Sequence, residues 1–146
     1  TEEYILAMRA LWSDGVSEFS GQTVNLQPCH FNPKPVQKPH PPIYFGGESD
    51  GAMRRVARLG DGWYGYDLSP EQLLEKLVGL DAALAATGRS RSDIDLVVGP
   101  NRHPVNGDTL AAYAAAGVDQ LVVPVFAGNL DKLSDRVDAL MALGSD

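Results

Sequence analysis

Two adjacent glycines after a short apolar segment are the feature of this chain that most clearly suggests chemistry. The apolar residues 43–45 lead into Gly46, Gly47, Glu48 and Ser49, and a helical pattern follows directly. Amide groups at the start of a helix have no partner within the helix, and glycine lets an anion approach the backbone closely. The spacing therefore predicts a phosphate-binding loop between a strand and a helix.

Each residue of this loop also has a simpler structural interpretation. Gly46 and Gly47 are equally typical of a tight turn that requires positive φ. Ser49 can donate to a phosphate or cap the helix, and both roles can hold at once. A carboxylate beside a phosphate is unfavourable, so Glu48 is expected to offer its amide while its side chain faces solvent. From these residues alone, the turn and the phosphate site are both open.

Polar side chains are also predicted where later strands end. Arg102 is a candidate contact for an anionic group of a ligand, and His103 is a candidate acid or base. No partner carboxylate is evident, so a surface loop is the favoured interpretation for both, and a solvated helix face is favoured for Arg54 and Arg55. No His, Cys or carboxylate spacing indicates a metal, and no catalytic residue is assigned. The remaining candidates are Tyr64, Tyr66, Asp67 and Asn101 near strand ends, and Cys29, His30 and His40 in a proline-rich segment.

Composition restricts the class of protein. The 146 residues carry a net charge of −7, which argues against nucleic acid or an anionic membrane as the main partner. Cys29 is the one cysteine, so no disulfide framework or thiolate metal site is predicted. No run approaches the length of a membrane span and the first residues do not resemble a signal peptide. We expect a cytoplasmic protein with a small-molecule substrate.

The order of elements predicts an α/β fold. A helix is predicted over residues 1–12, and residues 13–42 are predicted as an insertion or lid, with a hairpin turn at Ser20 and Gly21 and then six prolines between residues 28 and 42. Residues 43–146 predict four strand–helix units, and the whole of 1–146 is expected to form a single domain. The predicted strands are 43–46, 62–66, 94–99 and 119–125, and the helices are about 50–59, 70–87, 107–116 and 129–143.

Four such units predict a parallel sheet and amount to half of an eight-stranded barrel. Each helix carries one apolar stripe, which suits helices on one side of the sheet. In the last helix the residues predicted to face inward are Leu130, Leu133, Val137, Leu140 and Met141. A half-barrel has two unpaired edges, so we expect this chain to pair with another copy of itself, or with remnants of its missing half, and to bury residues 121–123.

Three motifs resemble a known family. They are Phe19-Ser20-Gly21, the segment 35–47 that ends in Pro-Pro-Ile-Tyr-Phe-Gly-Gly, and the segment 53–63 that ends in Gly-Asp-Gly-Trp. At these spacings the chain resembles the bacterial luciferase-like monooxygenase family, and within it the deazaflavin-dependent oxidoreductases most closely. The resemblance covers essentially the whole chain.

The resemblance implies a (β/α)8 TIM barrel, with this chain as its carboxyl-terminal half and a flavin or deazaflavin over the carboxyl ends of the strands. It implies that the loop after the fifth strand holds the cofactor phosphate, which matches Gly46, Gly47, Glu48 and Ser49 here, with Ala52 at the helix start. The implied cofactor is coenzyme F420, with FMN as the alternative, and the implied reaction is hydride transfer. The resemblance also implies that the groups that touch the cofactor ring come from the first four strands of the barrel. The rival hypothesis is a non-catalytic phosphate-binding half-barrel or an inactive fragment.

Overall fold

The computed structural model describes residues 1–143, and the chain divides into two compact units, Thr1–Ile43 and Tyr44–Asp146. In the first unit, helix α1 spans Glu2–Trp12, and strands β1 (Ser17–Ser20) and β2 (Asn25–Cys29) form the predicted antiparallel hairpin. No regular element follows in residues 30–43. The organisation as a single domain stays a prediction.

Glu3 holds the turn of this hairpin. Its Oε1 accepts a hydrogen bond from the Gln22 amide at 2.8 Å. Its Oε2 accepts from the amide and the hydroxyl of Thr23, each at 2.7 Å, and from the Val24 amide at 3.0 Å. These bonds favour the charged carboxylate, so they lower the pKa of Glu3 from 4.5 to about 2.

This pKa shift predicts an acid-sensitive contribution to stability. A folded-state pKa below the unfolded value means that the contribution is present above about pH 4.5 and is lost as the pH falls towards 2. We expect Glu3→Gln to lower the melting temperature at pH 7, and the difference from wild type to shrink between pH 4.5 and 2. Thermal unfolding by circular dichroism across this range measures it, with Glu18→Gln as an exposed control. Equal differences at pH 7 and pH 2 would contradict the prediction.

The second unit contains a four-stranded parallel sheet in which strands that follow one another along the chain are neighbours, which confirms the predicted α/β succession. Right-handed crossovers between consecutive neighbouring strands place the intervening helices on one side of the sheet. This arrangement is that of a partial TIM barrel. The elements are β3 (Tyr44–Gly46), α2 (Asp50–Leu59), β4 (Gly62–Tyr66), α3 (Pro70–Ala85), a 3₁₀ turn (Arg91–Asp93), β5 (Asp95–Gly99), α4 (Gly107–Ala115), β6 (Gln120–Leu121) and α5 (Leu130–Leu143).

The core lies between the sheet and its helices. Side chains alternate along the strands, so Phe45, Trp63 and Val98 face the helices and are buried. The predicted stripe of α3 is also buried, and its four leucines are Leu73, Leu77, Leu80 and Leu84. The other face of the sheet carries tyrosines, with Tyr44 42% exposed and Tyr66 61% exposed. The sheet is therefore covered on one side and open on the other.

The amino ends of three strands are joined on the open face. The ring of Tyr44 on β3 crosses Gly62 on β4, and its hydroxyl donates to Asp95 Oδ2 on β5 at 2.5 Å. The contact with the Asp95 carboxylate raises the pKa of Tyr44. A Cβ placed on Gly62 would lie only 2.0 Å from the Tyr44 ring. Glycine at position 62 is thus required by the neighbouring tyrosine.

Strand β6 is shorter than predicted. The pattern predicts residues 119–125, whereas the structure has Gln120–Leu121, followed by one more ladder bond from the Val122 amide to the Val98 carbonyl at 2.9 Å. The neighbouring strand ends at Gly99, and both Pro100 and Pro124 lack the N–H that would extend the ladder. The prediction of a seven-residue strand is wrong for this reason.

Helix α5 forms where it was predicted but buries none of its residues. Leu130 is 81% exposed, Val137 is 42% exposed and Met141 is 69% exposed, so the inward orientation predicted for this stripe is wrong within this chain. An apolar stripe shows which face of a helix prefers burial, and burial also needs a facing surface. Residues 1–143 contain no helix with the length and apolar character of a membrane span.

Candidate functional site

The two glycines of the predicted loop have different structural roles. Gly47 has φ of +99°, and a Cβ there would lie 3.2 Å from the Ala52 Cβ, so a turn alone accounts for this glycine. Gly46 has no positive φ, and a Cβ on it would meet nothing closer than the Tyr64 carbonyl oxygen at 3.8 Å. Packing within the protein does not require glycine at position 46. Its bare backbone on the open side of the sheet fits the close approach of a ligand.

The start of α2 leaves several backbone donors unused. Ser49 is the N-cap, and its Oγ accepts from the Ala52 amide at 3.3 Å, which leaves the hydroxyl proton free for donation. In the described chain, the amides from residue 48 to residue 51 have no protein acceptor. Ala52 is buried and its amide is already engaged, so within this geometry it supports Gly47 by packing.

Gly51 belongs to the same site and was missed in the sequence. It lies in the first turn of α2, and the nearest atom to a Cβ on it would be Ser49 Oγ at 3.9 Å. Glycine is a poor helix former, so packing and propensity both permit a larger residue here. Its bare amide continues the surface that Gly46 begins. The sequence feature that could have identified it is a glycine two residues after the N-cap Ser49.

Trp63 orients the loop of residues 46–51 from the helix side of the sheet. The side chain is fully buried, and its Nε1–H donates to the Gly47 carbonyl oxygen at 2.9 Å. The Gly47 carbonyl and the Glu48 amide belong to one planar peptide unit and point in opposite directions. The indole therefore directs the Glu48 N–H away from the helix layer. The sequence predicted only a packing role for Trp63, and this hydrogen bond adds a positioning role.

The Glu48 side chain does not simply face solvent. Its Oε1 accepts a hydrogen bond from the Tyr66 amide at 3.3 Å, so that expectation is wrong. The Tyr66 amide lies at the end of β4 and needs an acceptor, which Glu48 supplies. The bond joins the loop after β3 to the loop after β4 and draws the carboxylate towards Tyr66.

A second polar cluster lies at the same edge of the sheet. The Asp67 side chain, which is 8% exposed, accepts from the Arg102 amide at 3.0 Å and from Arg102 Nε at 2.6 Å, and it also pairs with Nη2. The Arg102 guanidinium holds the pKa of Asp67 below its usual value. His103 Nε2 lies 3.1 Å from the Asp67 carbonyl oxygen. The sequence suggested no carboxylate partner for this loop, and Asp67 supplies one from 35 positions earlier.

One cleft connects the two clusters. It has a volume of about 450 Å³, and Glu48 and Arg102 both line it. Its wall also includes Tyr66 and Asp67, so the loop after β3 and the Asp67–Arg102 pair border a common space. The remaining lining residues are Leu68, Gln72, Glu75 and Lys76.

The other sequence candidates are not among the residues that line this cleft. Arg54 is exposed and lines a separate cavity on the helix side, and Arg55 is half-buried. In the first unit, Cys29 is half-buried, and His40 Nδ1 lies 2.9 Å from the Pro41 carbonyl oxygen. Among residues 1–143, no group of three His, Cys, Asp or Glu side chains comes together as a metal site.

A parallel sheet with its helices on one side, and with unused backbone donors at its carboxyl edge, is the architecture of part of a TIM barrel. The family model described as luciferase-like monooxygenase matches residues 1–139, so the chain belongs to the luciferase-like monooxygenase family. The resemblance of the sequence motifs to this family is confirmed.

Named relatives are monooxygenases of greater length. Over 109 residues the chain is 28% identical to the FMNH(2)-dependent dimethylsulfone monooxygenase of Pseudomonas putida. This alignment covers 75% of this chain and 29% of that protein. Over 59 residues it is 41% identical to the pyrimidine monooxygenase RutA of Allorhizobium ampelinum, covering 40% of this chain and 16% of that protein. The chain thus spans less than a third of the length of these relatives.

Solved structures share the fold. An F420-dependent secondary alcohol dehydrogenase in complex with an F420-acetone adduct aligns with a TM-score of 0.59 at 15% identity, covering 97% of this chain and 52% of that one. The monooxygenase RslO1 from Streptomyces bottropensis aligns with a TM-score of 0.55 at 20% identity, covering 97% and 50%. The coenzyme F420-dependent tetrahydromethanopterin reductase from Methanopyrus kandleri aligns with a TM-score of 0.57 at 16% identity, covering 63% and 26%.

Proposed function

We propose that the full-length protein is a deazaflavin- or flavin-dependent oxidoreductase or monooxygenase acting on a small molecule, and that residues 46–51 of this chain hold the cofactor phosphate. The observation that carries the proposal is the bare backbone at Gly46, which protein packing does not require, beside amides without protein acceptors. Family membership supports it. Coenzyme F420 is the proposed cofactor and FMN is the alternative, since both occur in the names of similar proteins.

The bound cofactor would supply the two-electron chemistry, and this chain would bind and orient it. The amides of residues 48–51 and the Ser49 hydroxyl are the donors to the phosphate, aided by the partial positive charge of the α2 amino end. Two hydrogen bonds keep this arrangement in place. Trp63 donates to the Gly47 carbonyl, and Glu48 accepts from the Tyr66 amide. The Glu48 carboxylate is tolerable in this loop because it is drawn towards the Tyr66 amide.

Two substitutions of Ser49 test the phosphate site separately from the helix cap. Asp is as good an N-cap as Ser, so Ser49→Asp should keep stability within about 1 kcal/mol while its charge repels the phosphate. We expect binding of F420 or FMN by the full-length protein to weaken about tenfold or more, with little change for riboflavin, which lacks the phosphate. Ser49→Ala should cost about 1 kcal/mol of stability and weaken phosphate-dependent binding less.

Fluorescence titration of the full-length protein with F420, FMN and riboflavin measures these affinities and distinguishes the two cofactors. Thermal unfolding of each variant checks the cap. Failure of the folded wild-type protein to bind either phosphate-bearing cofactor would remove the proposed function. A loss in Ser49→Asp that is equal for FMN and riboflavin would contradict the placement of the phosphate.

We also propose that residues 1–146, expressed alone, pair with a second copy through the exposed strand edge at 121–123. Val122 is 42% exposed there, and Phe126, a few residues on, is 76% exposed. Unpaired strand edges with apolar side chains drive association. We expect light scattering to give the mass of a dimer, and Val122→Lys to shift it towards the monomer. A monodisperse monomer of the unsubstituted chain would contradict the proposal.

A further inference from the structure

Unusual backbone conformations mark the loops that carry the Asp67–Arg102 pair. Within residues 1–143, the non-glycine residues with positive φ are Asp67, at +56°, and Asn101, at +45°. Non-glycine residues with positive φ have a higher conformational free energy, and they are concentrated at functional sites. The two loops are fixed by the Asp67 amide, which donates to the Gly99 carbonyl at 2.7 Å, and by Asn101 Nδ2, which donates to the same carbonyl at 3.2 Å.

Arg102 is both exposed and held in place. Its side chain is 87% exposed, yet Nε and Nη2 bond to the Asp67 carboxylate and its amide bonds to Asp67 Oδ1. A guanidinium carries five N–H donors in a planar fork, and Asp67 uses the edge formed by Nε and Nη2. The edge formed by Nη1 and the outer Nη2 hydrogen stays available. That edge matches the two oxygens of a carboxylate or phosphate.

We propose that Arg102 binds an oxyanionic group, a carboxylate or a phosphate, at a second anion subsite in the cleft bordered by Glu48. Asp67 is the positioning residue, because it fixes the plane and direction of the guanidinium. Lys76 lines the same cleft and adds a second positive charge. The carboxylates of Glu48 and Glu75 also line it, so the proposal depends on the directed fork of Arg102 and not on the net charge of the cleft. The anion belongs either to the tail of the cofactor or to the substrate. The inference rests on the proposed function in taking this cleft as part of the cofactor and substrate site.

The test follows the Nε–H signal of Arg102 in the proton–nitrogen spectrum of the full-length protein, with inorganic phosphate as the probe. The signal is assigned by its absence in Arg102→Lys. We expect a saturable shift of the wild-type signal with phosphate, because the bidentate contact is local to this guanidinium. Asp67→Glu keeps the charge but moves the carboxylate by one methylene, so it should weaken this phosphate binding about tenfold. Thermal unfolding confirms that each variant is folded.

Two further titrations identify the source of the anion. In the first outcome, F420 or FMN displaces phosphate from Arg102. Arg102→Gln and Arg102→Lys then weaken binding of that cofactor about tenfold and leave riboflavin binding unchanged. This outcome assigns the anion to the cofactor. In the second, phosphate still shifts the Arg102 signal with cofactor bound, and the anion belongs to the substrate. An Arg102 signal that phosphate does not move, together with unchanged cofactor affinity in folded Arg102→Gln, overturns the inference. This result is distinct from failure of the proposed function, in which the wild-type protein binds no flavin or deazaflavin.

Discussion

Trp63→Phe is expected to weaken binding of the phosphate-bearing cofactor about tenfold while leaving riboflavin binding nearly unchanged. Phenylalanine fills much of the same buried space but cannot donate to the Gly47 carbonyl. The loss of an ordinary hydrogen bond costs about 0.5–1.5 kcal/mol, and 1.4 kcal/mol corresponds to a factor of ten in affinity. Without the indole bond, the peptide between Gly47 and Glu48 can rotate, and the Glu48 N–H loses its direction towards the ligand.

The measurement is cofactor titration and thermal unfolding of the full-length protein. Trp12→Phe is the matched control, because it makes the same chemical change on α1 in the other compact unit. We expect the control to keep wild-type affinity for F420, FMN and riboflavin. If Trp63→Phe binds the phosphate-bearing cofactor as tightly as wild type, the indole has only the packing role that the sequence predicted.

Gly62→Ala is expected to destabilise the protein strongly, although it adds only one methyl group. The new Cβ would lie 2.0 Å from the Tyr44 ring and 2.9 Å from the Asp95 carbonyl oxygen. The ring would have to leave Asp95, and β3 would have to shift relative to β4. Overpacking of this kind costs about 3 kcal/mol, which lowers the melting temperature by roughly 10 °C in a chain of this size. Because β3 leads directly into residues 46–51, cofactor affinity should fall as well.

Gly79→Ala is the matched control for this substitution. Gly79 lies within α3, and a Cβ there would meet nothing within 4 Å, so the same change should stabilise the protein by up to about 1 kcal/mol. Adding Tyr44→Ala to Gly62→Ala should recover part of the loss, since the closest overlap is with the ring. Calorimetry of the two single variants and the double variant measures this coupling. Equal melting temperatures for Gly62→Ala and wild type would show that Tyr44 does not cross this glycine.

Signals that act within a few residues were predictable from the sequence. Ser69 and Gln72 form the predicted capping box, and α3 then buries the leucine stripe that its spacing indicated. The strand–glycine–helix segment at residues 43–52 also forms as predicted, with α2 over Asp50–Leu59. Such features depend on the backbone geometry of neighbouring residues, so the local order of residues determines them.

Contacts between different helices, strands and loops could not be predicted from the sequence. The sequence favours a surface loop for Arg102 because its partner, Asp67, follows a different strand, β4, and lies 35 positions earlier. The turn explanation was open for both glycines until the structure showed that it applies to Gly47 and is not needed for Gly46. The apolar stripe of α5 is present as predicted, but its burial depends on a facing surface that residues 1–143 do not provide.

The sequence by itself determined the succession of helices and strands, the parallel sheet and the position of the glycine loop, because these follow from local propensity and periodicity. The tertiary structure decided which side chains meet across strands: Trp63 with Gly47, Asp67 with Arg102, and Tyr44 with Asp95 over Gly62. Strand register sets these pairs, and a slip of one residue would turn each side chain to the other face of the sheet. Donor direction at the site therefore arises from packing between elements.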